Sequence, residues 1–121
     1  MLNYFLSVTM LIGLFTFPLF SQNFIQIPKD YPTIQQGLNA ATSNTTILVS
    51  PGIYFENLIW PSTIDGIKLI GIKGSLETII DGNEKGRVIN MEANISFGLP
   101  QEITLATLIQ GFTIQHGKIS D

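Results

Sequence analysis

Acid–base chemistry on a sugar needs two carboxylates at a fixed separation, so the acidic side chains are the first to place. Past the apolar start of the chain they include Glu56, Asp65, Glu77, Asp81, Glu84, Glu92 and Glu102, scattered with no pair repeated at a constant interval. The best local group is Asp81-Gly82-Asn83-Glu84, whose oxygens could face a Ca²⁺ ion. Calcium takes about six to eight oxygens, and the rest of such a loop is missing. Asp, Gly and Asn favour turns through backbone preference alone, so the expectation here is a polar turn. His116 is the sole histidine, beside Gly117, in a chain with no cysteine. One histidine without company builds neither a metal centre nor a catalytic triad, and an ordinary turn residue is expected. Arg87, the sole arginine, follows Gly86 and suits a solvated flank. No catalytic, cofactor-binding or metal-binding residue is therefore assigned, and no cofactor is expected.

Ligand contact without catalysis is the other chemistry to weigh. Tyr54, Phe55 and Trp60 are close together, and exposed aromatic rings can stack on sugars. Strand alternation puts Tyr54 and Phe55 on opposite faces, so one of them is expected outside. Asn57, Asn83 and Asn90 are expected in turns, where stacked amides can hydrogen-bond as a ladder. Asn44-Thr45-Thr46 and Asn94-Ile95-Ser96 fit the glycosylation sequon, which matters only in a host that glycosylates exported proteins.

The whole chain limits these options. At 121 residues it holds one domain at most. A formal net charge of −3 with 12% charged residues leaves no basic footprint for nucleic acid. No Lys, Arg, Asp or Glu occurs before Lys29, and Tyr4 to Phe20 is almost wholly apolar. Ser21-Gln22 follows, with a small residue where a signal peptidase could cut, although Leu19 is not the small residue expected upstream. A retained anchor is the competing reading, since about 17 apolar residues is the lower limit for a spanning helix. Residues 1–21 are read as a signal peptide and residues 22–121 as the exported domain, secreted or at the cell surface, with no membrane contact after cleavage. Zero cysteines exclude disulfides, thiolate metal sites and a cysteine nucleophile, so the exported part must be held by its own core.

The elements that position these residues are short. Phe24-Ile25-Gln26-Ile27 reads as an alternating strand closed by Pro28. Thr33 followed by Gln36 is a capping box, in which each side chain can satisfy the other's free backbone N–H. Ile34, Leu38 and Ala41 then give one apolar stripe, predicting a helix over Ile34–Thr42. Gly37 costs that helix about 1 kcal/mol relative to Ala, and a helix this short must lie on something apolar. From Thr46 onward no helical pattern returns. The stretch Thr46–Trp60 holds short β-type runs at Thr46–Val49, Gly52–Phe55 and Asn57–Trp60, hinged at Ser50-Pro51-Gly52. Further runs fall at Ile67–Gly71, Thr78–Asp81 and Arg87–Ala93. In the last of these Ile89, Met91 and Ala93 share a face. The final run, Thr107–Gln115, is read with Leu108, Phe112 and Ile114 on one face and a bend at Gly111. Residues 95–102 read as an inserted loop.

Strands this short, recurring with similar units about 20 residues apart, predict a solenoid. A β-sandwich would need longer strands and two-residue hairpin turns, for which only Asp65-Gly66 and Asp81-Gly82 are available. The expected fold is all-β, a parallel β-helix, to which the resemblance described next adds a right hand, two to three coils and an N-terminal capping helix. The segments IQIPKDYPTIQQGLNAA (25–41), ILVSPGIYFEN (47–57), IKLIG (67–71), TIIDGN (78–83) and IQGFTIQHG (109–117) make the chain resemble the N-terminal end of the pectate-lyase-like superfamily of right-handed parallel β-helix proteins. That resemblance implies that the helix plugs the open end of the β-helix and that Leu58 and Trp60 point inward. It further implies outward insertions at Pro61–Ile64 and Ala93–Ile103, and additional coils beyond Asp121, which makes the chain an N-terminal fragment. The superfamily includes lyases, hydrolases, epimerases and non-enzymatic surface proteins, so the resemblance indicates a fold and not an activity. The expected function is a non-catalytic exported β-helix segment of a larger surface or extracellular protein, for scaffolding or contact with a polysaccharide. The alternative is the N-terminal fragment of a polysaccharide lyase or hydrolase whose active site lies beyond residue 121.

Overall fold

A computed structural model describes residues 23–92 and 106–119. Among them are one helix, α1 (Ile34–Ala40), and nine strands: β1 (Phe24–Ile27), β2 (Thr46–Val49), β3 (Gly52–Phe55), β4 (Leu58–Ile59), β5 (Lys68–Gly71), β6 (Thr78–Asp81), β7 (Ile89–Asn90), β8 (Leu108–Gln110) and β9 (Thr113–Gln115). They form three sheets of order β1-β2-β5-β8, β3-β6-β9 and β4-β7. Every ladder among the described residues is parallel. Parallel strands cannot be joined by a tight hairpin, so β1 returns to β2 through the helix and every later return to a sheet runs through strands of the others. Phe24 pairs with Thr46 and Thr46 with Lys68, the same 22-residue step twice. Asp65-Gly66 and Asp81-Gly82 therefore do not serve as hairpin turns, and the described residues form an all-β arrangement of parallel sheets with one helix.

Parallel register carries each side chain onto its equivalent in the next strand, so inward positions become columns. Ile25, Ile47, Leu69 and Ile109 form one such column. Ile27 and Val49 begin the next. Ile47, Leu69, Ile27 and Val49 are fully buried. Tyr54, Ile80 and Ile114 form the matching column of the second sheet. Leu58 and Trp60 complete the core from the third side, with Trp60 only 4% exposed, in agreement with the inward parity expected of them. Complete burial of each Ile or Leu is worth about 1.5–3 kcal/mol relative to exposure. The structure corrects one face: Ile109, not Leu108, stacks on Leu69, and Leu108 lies outside beside Lys68. Gly111, at φ 81°, takes a left-handed turn that breaks the alternation between Leu108 and Phe112.

The helix closes one end of this core. Ile34 and Leu38 are fully buried and Ala41 is 4% exposed, the apolar stripe read from the sequence. Gly37 lets the helix come close, because a Cβ there would meet Ile27 Cδ1 at 2.8 Å. The capping box forms by half. Thr33 Oγ1 accepts from the Gln36 amide at 3.1 Å. The Ile34 and Gln35 amides donate to the two carboxylate oxygens of Glu56, both at 2.9 Å. Gln35 then acts as an extra rung on β4, accepting from the Ile59 amide at 2.7 Å and donating to the Ile59 carbonyl at 3.1 Å. The helix ends at Ala40 and not Thr42, since the Thr42 amide turns to Thr45 Oγ1.

Corners between sheets are tight. A Cβ on Gly71 would strike the Gly111 carbonyl, and one on Gly111 would strike the Gly71 carbonyl, so only glycine fits both. Strand β7 covers only Ile89–Asn90, shorter than Arg87–Ala93, and Met91 is 38% exposed. Ile64 in the 61–64 connection packs on the core while Thr63 is exposed. The expected signal peptide (1–21), the whole of the expected loop (95–102) and the second sequon (94–96) lie outside the described residues.

Candidate functional site

The outer face of the β3-β6-β9 sheet brings together residues that are far apart in the chain. Register places Phe55, Asp81 and Gln115 in one row, with Ile53, Ile79 and Thr113 in the row beside it. Phe55 is 67% exposed and Ile53 is also exposed. Tyr54 turns inward and donates its hydroxyl to the Ser50 carbonyl at 2.7 Å, so Phe55 is the aromatic left outside. Its neighbour Asp81 is 6% exposed. A carboxylate this buried must be hydrogen-bonded, and three donors meet it.

Asp81 Oδ2 accepts from Gln115 Nε2 at 3.0 Å and lies 2.8 Å from His116 Nδ1, while Oδ1 accepts from the Asn83 amide at 2.8 Å. The Gln115 side-chain hydrogen bond, then the His116 bond and the Asn83 amide hold the Asp81 carboxyl below its usual value. An ionised carboxylate only accepts, so His116 Nδ1 carries the hydrogen, and in the neutral ring Nε2 is then the acceptor nitrogen. The imidazole is 56% exposed, which leaves that nitrogen accessible to ligand.

Backbone geometry brings the pair together. Asn83, Glu84 and His116 all take left-handed φ values, at 50°, 56° and 53°. Those turns let the Glu84 amide donate to the His116 carbonyl at 2.8 Å and the Gly82 amide to the Gln115 carbonyl at 3.0 Å. Non-glycine residues adopt this region at some cost, which the surrounding hydrogen bonds offset. Asp81, Asn83, Glu84 and His116 line a recess of about 340 Å³.

A second recess, of about 350 Å³, lies along β4 and β7, between Asn57, Ile59, Arg87, Asn90, Lys118 and Ile119. Arg87 is not an unattached flank, because its Nη1 donates to Asn90 Oδ1 at 3.2 Å. Asn57 Nδ2 bonds the carbonyls of Gly82 and Arg87, so it locks a corner and no ladder of stacked amides forms with Asn83 or Asn90.

The expected polar turn is present at Asn83–Glu84, and Asp81, at the end of its strand as read from the sequence, is in addition a buried carboxylate. His116 has the acidic company that its isolation in sequence denied it, 35 positions away. Among the described residues no group of three or more His, Cys, Asp and Glu side chains is placed to hold a metal ion. TIIDGN and FTIQHG hold the neighbouring strands β6 and β9, and it is their register, which the sequence does not record, that sets their ends side by side. The pair can orient a ligand hydroxyl or accept a proton, and its recess is open to solvent. No family model, curated protein or solved structure matches the chain.

Proposed function

We propose that the chain is the helix-capped part of a right-handed parallel β-helix in an exported surface or extracellular protein, with scaffolding and carbohydrate contact as its role rather than catalysis. The observation that carries this reading is the stacked register of three parallel sheets, with a helix laid across one end of their shared core. Sheets that pass the chain from one to the next and back in parallel register are what a coil of such a solenoid requires. Right-handedness is the expectation for parallel crossover connections, which take that hand in about 98% of cases. Export rests on the apolar segment Tyr4–Phe20, followed by the small residue Ser21.

The test has two arms. Expression with the native leader is expected to release protein whose first residue is Gln22, read by terminal sequencing. Incubation with pectin and alginate is expected to yield no new reducing or unsaturated ends, and cleavage of either would overturn the non-catalytic reading.

A second reading, part of a polysaccharide lyase or hydrolase, is favoured by one observation: the Asp81–His116 pair leaves an accessible Nε2 that could accept a proton. If cleavage is found and His116→Ala abolishes it in a folded protein, that second reading replaces the first.

A further inference from the structure

The row Phe55–Asp81–Gln115 has the parts of a sugar site arranged across three strands. Neighbouring strands are about 4.8 Å apart, so the row extends about 10 Å, long enough for a disaccharide. At one end is an aromatic ring, 67% exposed on a flat sheet face. Such a ring is costly to leave in water and suits the apolar face of a pyranose. At the other end are two planar polar groups, the Gln115 amide and the His116 imidazole, both tied to the same buried carboxylate. After those bonds are made, Gln115 keeps its carbonyl oxygen and one N–H, and His116 keeps Nε2. Those three groups can meet sugar hydroxyls, which both donate and accept. Their rotamers are set before any ligand arrives, which lowers the entropy lost on binding.

Charge narrows the ligand class. The recess beside the row is lined by Asp81 and Glu84, with the imidazole as its only basic group. The cations Arg87 and Lys118 line the other recess, on the β4 and β7 side. A uronate or sulfated glycan that reaches from the row into that recess would meet the Asp81 and Glu84 carboxylates, and like charges repel there.

We propose that the outer face of the β3-β6-β9 sheet is a binding site for an uncharged pyranose glycan, with Phe55 stacking on a ring, Gln115 and His116 bonding its hydroxyls, and Asp81 positioning those two side chains. This rests on the non-catalytic β-helix reading and names the site and ligand class within it.

The full chain should be titrated calorimetrically with gluco-, galacto- and manno-hexasaccharides and with hexagalacturonate. At least one neutral hexasaccharide is expected to bind, and hexagalacturonate is expected to bind more weakly than it. Phe55→Ala and Gln115→Ala are each expected to weaken the neutral ligand about tenfold, the loss of one stacking contact or one pair of hydrogen bonds. Circular dichroism checks that both variants stay folded, which their exposed or half-buried positions favour. For Asp81→Asn the added readout is the ¹⁵N spectrum of His116. Loss of the single-tautomer pattern together with weaker binding is expected, whereas a purely structural carboxylate would leave the tautomer unchanged. Absence of binding to every neutral hexasaccharide, preference for hexagalacturonate, or unchanged affinity in Phe55→Ala would each overturn the proposal. None of those results touches the β-helix and export reading, which fails on polysaccharide cleavage or on retention of the leader.

Discussion

At Asp81 three hydrogen bonds converge on one buried carboxylate, and the pH dependence of stability follows from them. The carboxyl is held below its usual value of 3.8, chiefly by Gln115 and then by His116. Its stabilising contribution is therefore fully present above that value and is lost as pH falls through the lower folded value. Thermal melts should show an acid limb that is shallower in Asp81→Asn, with variant and parent converging at the acid end and the variant less stable near neutrality. Thr78 offers an opposite case. Its hydroxyl is fully buried with no partner among the described residues, in a site where a methyl group would fit. Thr78→Val is expected to stabilise by about 1 kcal/mol, read from urea unfolding, because an unsatisfied buried hydroxyl is removed without changing shape. Neither effect was legible from residue types. Asp81 looked like one of several turn acids, and its partners are neighbours only after the chain has gone once around.

The helix and the corners are the elements on which this arrangement depends. Helix α1 is short and carries a glycine, so its stability comes from docking, with Glu56 taking two of its free amides and Gln35 pairing with Ile59. Glu56→Ala is expected to cost about 1–2 kcal/mol and to speed hydrogen exchange in α1 ahead of the strands, measured by mass spectrometry. The sequence marked the start of the helix through Thr33 and its apolar face through Ile34, Leu38 and Ala41. It did not mark Glu56, because a cap supplied 22 residues downstream leaves no local pattern. At the corner, Gly71→Ala or Gly111→Ala drives a methyl group into the backbone carbonyl of the facing glycine. Either is expected to cost more than about 2 kcal/mol, since backbone on both sides must move, and the denaturation midpoint should fall accordingly.

For the molecule as a whole, protection should be graded along the stack. Strands β2, β5 and β6 are paired on both sides, whereas β8 and β9 are outermost in their sheets among the described residues. Native-state hydrogen exchange is expected to be slowest at Ile47, Leu69 and Ile80 and fastest at Ile109 and Ile114, although all five occupy inward columns. Equal protection at both sets would contradict this one-sided arrangement. Ile114 is 50% exposed while Ile80, beside it in the same column, is fully buried. Inward orientation and burial are therefore separate facts: the first follows from register, the second from what lies above.

By itself the amino-acid sequence determined the class of structure, the positions of nearly all the strands and the capped start of the helix. These depend on local chemistry: β-branched alternation, turn residues and an apolar stripe at helical spacing. Tertiary structure alone decided that Ile109 and not Leu108 faces the core and that Glu56 caps the helix. It alone joined Asp81 to Gln115 and His116 beside Phe55. The physical reason is register, because parallel pairing sets side by side residues 22 to 40 positions apart, and no local preference records that separation.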